Sequence, residues 1–207
     1  MKTPQFLVTL AAVGTVGILL SGCVQTGPAS SPSTVVTSSN PKPVTTSTPV
    51  GRPTSIDAAW AEANKAIDSF TRIQYEIEND GGTGVDRINT IAANDALTST
   101  QKIASDLQSG GLRIVGGAPG WAPNVAASSF GTVIDSGGTK IPNGIVYARG
   151  CWDLSKQTSV AKTGTPPPDR SVKIFPIQFN VTYFPAEQTW KVTGQTNITG
   201  QSGAPQC

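Results

Sequence analysis

The spacing of apolar residues changes once along this chain, at Ser109-Gly110-Gly111, and that change restricts the folds open to it. Before it, Ile56, Trp60, Ala63, Ile67, Phe70, Ile73, Gln74 and Ile77 recur every three or four residues, one stripe on a helix of about six turns. Thr54-Ser55-Ile56-Asp57 reads as its start, a hydroxyl cap with a carboxylate three residues on. Asp80-Gly81-Gly82-Thr83-Gly84 stops it. Two shorter helical segments follow, Val85 to Ala93 and Asp95 to Gln108. After the change the period is two. Strands are expected at Leu112–Val115, Ser128–Ile134, Ile145–Leu154, Lys173–Tyr183 and Trp190–Ile198, with a Gly/Pro-rich excursion through Trp121 and Pro123 between the first two. On the last strand Thr189, Lys191, Thr193, Gln195 and Asn197 are expected on the face opposite Trp190 and Val192. Pro185-Ala186-Glu187-Gln188 turns the fourth strand back onto the fifth, and Thr163 to Arg170 reads as an exposed loop. Helices first and an antiparallel sheet afterwards define an α+β domain over residues 54–207, its helices on one face of the sheet.

What precedes residue 54 cannot join that core. Residues 24–53 hold six each of Ser, Thr and Pro, with no acidic and no aromatic residue, so they cannot bury enough apolar surface to offset the entropy of ordering. They read as a spacer that averages roughly 30 Å as a flexible coil and reaches roughly 90 Å when fully extended. Further upstream, Phe6 to Leu20 is almost wholly apolar behind Lys2. As a helix it reaches only about 22 Å, short of a hydrocarbon core of about 30 Å, which suits a secretory signal over residues 1–22 better than a permanent span. Leu20-Ser21-Gly22-Cys23 then follows at the right distance. This segment resembles the lipobox of bacterial lipoproteins. The resemblance implies that Cys23 accepts a diacylglyceryl group, that the chain is cut before it, and that the mature protein is exported and held on the outer face of the cell membrane. Each acyl CH₂ adds about 0.8 kcal/mol of membrane affinity, so two or three chains anchor durably without a spanning helix. The low aromatic content and the Ser/Thr-rich tether look like an actinobacterial lipoprotein. A prophage-encoded lipoprotein acting against superinfecting phage is the alternative origin.

The chain of 207 residues contains no histidine. That excludes Ser-His-Asp and Cys-His nucleophile systems, imidazole base catalysis and His-ligated zinc. All thirteen acidic residues lie between Asp57 and Glu187, and twelve basic residues fall in the same domain once Lys2, Lys42 and Arg52 are set aside. The domain is near neutral, with no electrostatic case for a nucleic acid or an anionic membrane surface as its partner. The glycine clusters lack the Lys-Ser/Thr of a phosphate loop, and no cofactor is implied.

With Cys23 assigned to lipid, Cys151 and Cys207 remain, and in an oxidising compartment they read as a disulfide. A free, reactive Cys151 is the sharper alternative, with Arg149 a weak substitute for an activating histidine.

The element order, and the ending Phe179-Asn180-Val181-Thr182-Tyr183-Phe184 … Thr189-Trp190-Lys191-Val192-Thr193, resemble the nuclear-transport-factor-2-like (SnoaL-like) cone domains over about Thr54 to Thr199. A cystatin-like arrangement fits nearly as well. In enzymes of the cone superfamily the open end of the sheet holds a pocket, commonly with an Asp-His pair, whose histidine this chain lacks. Tyr147, Arg149 and Asp153 share one face of the third strand by alternation and are candidates to line such a pocket, or to form a solvated outer face with an Arg149–Asp153 pair. Trp121 is a candidate exposed aromatic for binding, or a cover over the open end of the core. The expected function is a non-enzymatic binding domain displayed by a membrane-anchored envelope lipoprotein, its partner another envelope protein or a small apolar ligand. That reading expects an apolar patch on the sheet or around Trp121. The alternative, an unusual His-free enzyme, expects an Asp of raised pKa in an enclosed polar cavity.

Overall fold

The structure, a computed structural model, describes residues 51–163 and 172–207. The apolar leader, Cys23, the tether as far as residue 50 and the loop 164–171 lie outside the described residues.

Helix α1 spans Ile56–Asn79. Ser55, not Thr54, caps it: its hydroxyl accepts from the Ala58 amide at 3.1 Å, leaving Asp57 in the first turn beside the positive end of the helix. The stripe is buried as expected from Ala63 to Ile77, while Ile56 is half exposed. Gly81, Gly82 and Gly84 all take positive φ and end the helix. The segment expected as one helix from Val85 is a single 3₁₀ run, Val85–Thr90, and helix α2 spans Asn94–Gly110, closed by Gly111 in the left-handed region.

Six strands follow: β1 Leu112–Val115, β2 Gly120–Ile134, β3 Lys140–Asp153, β4 Thr158–Ala161, β5 Ile174–Phe184 and β6 Thr189–Asn197. The main sheet is antiparallel in the order β2-β3-β5-β6, and β1 and β4 form a separate antiparallel pair. Two features depart from the sequence reading. The Gly/Pro-rich stretch around Trp121 is not an excursion but the first half of β2, paired with β3 from Gly120↔Asp153 to Asn124↔Arg149. Pro123 is tolerated there because β2 borders the sheet and needs no donor on its free side. Strand β4, too short and polar to show a period, pairs with β1.

The helices cover one sheet face. Phe70 of α1 packs edge-on against Phe179 of β5, with ring centroids 6.3 Å apart, and Trp152 of β3 meets the same ring at 5.3 Å. Val146, Ala148, Val181 and Val192 complete this layer against Ala59, Ala63 and Ile67. The β6 border is closed by the connector into α2: the Val192 amide donates to the Ile91 carbonyl and the Ala93 amide to the Val192 carbonyl, both at 2.9 Å. Among the described residues no helix is long and apolar enough to cross a membrane.

Candidate functional site

Alternation along β3 and β5 leaves a second face that the helices do not cover. Register arranges it in cross-strand rows. One row runs Ser129, Tyr147, Asn180, Gly194; the next runs Asn124, Arg149, Gln178, Thr196; a third runs Gly131, Ile145, Thr182, Lys191. Except at Ile145 and the glycines, the side chains here are polar, and most are half-buried among their neighbours.

They are also tied together. Arg149 Nε donates to Gln178 Oε1 at 2.9 Å, and Gln178 Nε2 donates to Asn180 Oδ1 at 2.9 Å. Thr193 Oγ1 donates to the Asn180 carbonyl at 3.1 Å and lies 3.2 Å from Thr182 Oγ1. The register shift between β5 and β6 after Asn180 puts Thr193 there. The same shift corrects the expected alternation on β6. Gln195 sits opposite Phe179 and Asn197 opposite Ile177, on the helix side of the sheet rather than beside Lys191 and Thr193.

The segment 199–207 closes one end of this face. Cys151 and Cys207 form a disulfide, with Cα atoms 5.7 Å apart. Arg149 donates to the Gly203 carbonyl at 3.2 Å, Ile198 donates from its amide to the Pro176 carbonyl, and Pro205 is buried. Arg149 is therefore engaged by Gln178 and Gly203 and forms no pair with Asp153. Asp153 is half-buried. Hydrogen bonds from the Ser155 side chain and backbone hold its pKa below the ordinary carboxylate value, against a small opposing effect of burial, with help from the Lys156 charge. That is the opposite of the raised pKa an acid-base pocket would need.

Trp121 lies on the other side of the sheet, opposite Trp152. Its ring meets Phe179 edge-on at 5.1 Å, and its Nε1 donates to Asn64 Oδ1 at 3.3 Å. Gly150 makes this possible, since a Cβ there would come within 2.6 Å of the indole. The indole is thus half-buried against the core, and the face carrying Tyr147 and Arg149 is polar rather than an apolar patch. Sequence reasoning did not single out Gln178, Asn180, Thr182 or Thr193; alternation along β5 put them on one face, but only the cross-strand register brings them to Tyr147. Among the described residues no group of three or more His, Cys, Asp or Glu side chains is placed to hold a metal ion.

Comparison with known proteins adds little to this geometry. No protein-family model matches the chain, and a search of curated proteins finds no match either. Among solved structures, the intermembrane space region of the chloroplast protein ARC6 superposes with a TM-score of 0.38 at 12% identity, covering 65% of this chain and 92% of that one. A likeness at that level carries no functional argument.

Proposed function

We propose that this protein is a cell-envelope lipoprotein, held on the outer face of the membrane through acyl chains on Cys23, whose folded domain binds rather than catalyses. The domain is a cone of the nuclear-transport-factor-2-like type. The order of its elements supports this reading, as do the register shifts in β2 and between β5 and β6, each of which bends a sheet. Anchoring rests on Leu20-Ser21-Gly22-Cys23 behind its apolar run and before the Ser/Thr/Pro-rich spacer.

One observation carries the binding assignment: the sheet face free of helices presents polar side chains already held in place by one another. Fixed donors and acceptors lose little entropy on meeting a ligand. The space between α1 and the sheet, where a small apolar ligand would have to sit, is packed with Ile67, Phe70, Phe179 and Trp152. This favours an extended partner on the outside of the domain. The lowered pKa of Asp153 weighs against the enzyme alternative.

Detergent phase separation of the protein made in a lipoprotein-processing bacterium tests the anchor. The wild type is expected in the detergent phase, and Cys23→Ala in the aqueous phase. Wild type in the aqueous phase with residues 1–22 still attached overturns the assignment.

A further inference from the structure

We infer that the Cys151–Cys207 disulfide is a redox-opened clasp: a dithiol partner reduces it, and the segment 199–207 then leaves the sheet while the rest of the domain stays folded. This goes beyond the binding reading above and depends on neither the anchor nor an envelope partner. The core is built without the segment. Its cluster of packed side chains has no member beyond Val192. The last strand ends at Asn197, and among the described residues nothing after Ile198 joins a strand. Hydrogen bonds within the segment run from the Gln201 amide to the Ile198 carbonyl and from the Ala204 amide to the Gln201 carbonyl. Besides the contacts of the two sulfurs, its one hydrogen bond to the sheet among the described residues is that of the Gly203 carbonyl, which accepts from Arg149 Nη1 at 3.2 Å. Pro205 is buried, and seven of the nine residues are exposed. One such bond and one buried proline do not offset the entropy of ordering nine residues, so the covalent link is what holds the segment down.

The placement of the sulfurs sets the direction of exchange. Cys207 is exposed and Cys151 is half-buried on β3, so an incoming thiolate reaches Cys207 first. As its bond to Cys207 Sγ forms, the bond between the two cysteines breaks, and Cys151 departs with the electron pair. Arg149 lies two residues away on the same strand face. Its partners among the described residues are the neutral oxygens of Gln178 and Gly203, so it keeps its charge and favours the departing thiolate. The partner's second thiolate then attacks its own sulfur in the mixed disulfide and frees Cys207. The protein gains two electrons and two protons and ends as two thiols; the partner loses the same and ends as a disulfide. The opened state has lost the bond between Arg149 and Gly203 and presents a thiol at Cys151.

The test is hydrogen exchange of the full chain, read by mass spectrometry with and without dithiothreitol as the dithiol. On reduction the Gln201 and Ala204 amides are expected to exchange roughly tenfold faster or more, while those of Phe179, Val181 and Val192 keep their protection. Cys207→Ser, which leaves the other residues of the segment in place, is expected to show the same fast exchange without any reductant. Iodoacetamide is expected to label Cys151 only after reduction, and more slowly in Arg149→Gln than in wild type at the same pH. Unchanged protection of Gln201 and Ala204 after reduction overturns the inference. So does loss of protection at Phe179, Val181 and Val192 along with them, because the whole domain has then unfolded. Free thiols at both cysteines in the protein before reduction overturn it as well, and equal labelling of Cys151 in wild type and Arg149→Gln overturns the role given to Arg149.

Discussion

Two buried polar atoms, Oε1 of Gln74 and Nε1 of Trp190, find no hydrogen-bond partner among the described residues. A buried acceptor that has lost water without gaining a donor costs stability, so replacing Gln74 with an apolar side chain of similar length relieves it. Gln74→Met is expected to raise the urea midpoint by the equivalent of about 1 kcal/mol. At the surface the sign of Asp153 is equally definite. Its folded-state pKa is depressed, so its contribution to stability is present above the unfolded-state value and is lost as pH falls through the folded one. Asp153→Asn is expected to differ from wild type at neutral pH and to converge with it in acid, as followed by thermal unfolding across pH. How Trp121 is oriented was not legible from its neighbours in the chain. The Gly and Pro around it signal a turn, whereas the residue that admits its ring is Gly150, on another strand. Pattern along a chain does not report a vacancy across a sheet.

The elements themselves were largely legible. A stripe of three- and four-residue steps has one solution, a helix with that side buried, and α1 follows it from Ala63 to Ile77. The alternation of Phe175, Ile177, Phe179, Val181 and Tyr183 likewise set β5, and Pro185 to Gln188 set its return. Where a single residue is inserted, alternation fails. Thr193 carries the extra residue on β6, and every side chain beyond it changes face. The polar network of the helix-free face was invisible for a related reason: it exists only in the register between strands. The junction of α1 and α2 shows how little slack such packing allows. Gly82 has φ +87°, and a Cβ there would overlap the Ala104 carbonyl of α2. Gly82→Ala is expected to cost about 1–3 kcal/mol in chemical denaturation, since both the backbone conformation and the helix contact resist it.

For the whole molecule the covalent closure matters most. Cys151 and Cys207 are 56 residues apart, and the chain-entropy estimate for such a loop is about 4 kcal/mol. The double replacement Cys151→Ser with Cys207→Ser is expected to lose about 2–4 kcal/mol in guanidinium unfolding. A reducing agent should bring the wild type to the same midpoint and leave the variant unmoved. The two lateral borders of the sheet behave differently. Along β6 the main-chain groups of Val192 are taken by Ile91 and Ala93, and along β2 Pro123 has no amide hydrogen to donate and the register with β3 shifts between Asn124 and Ser129 and again between Gly131 and Val133. Neither border offers an incoming chain an unbroken ladder, so copies crowded side by side resist growing into a fibril.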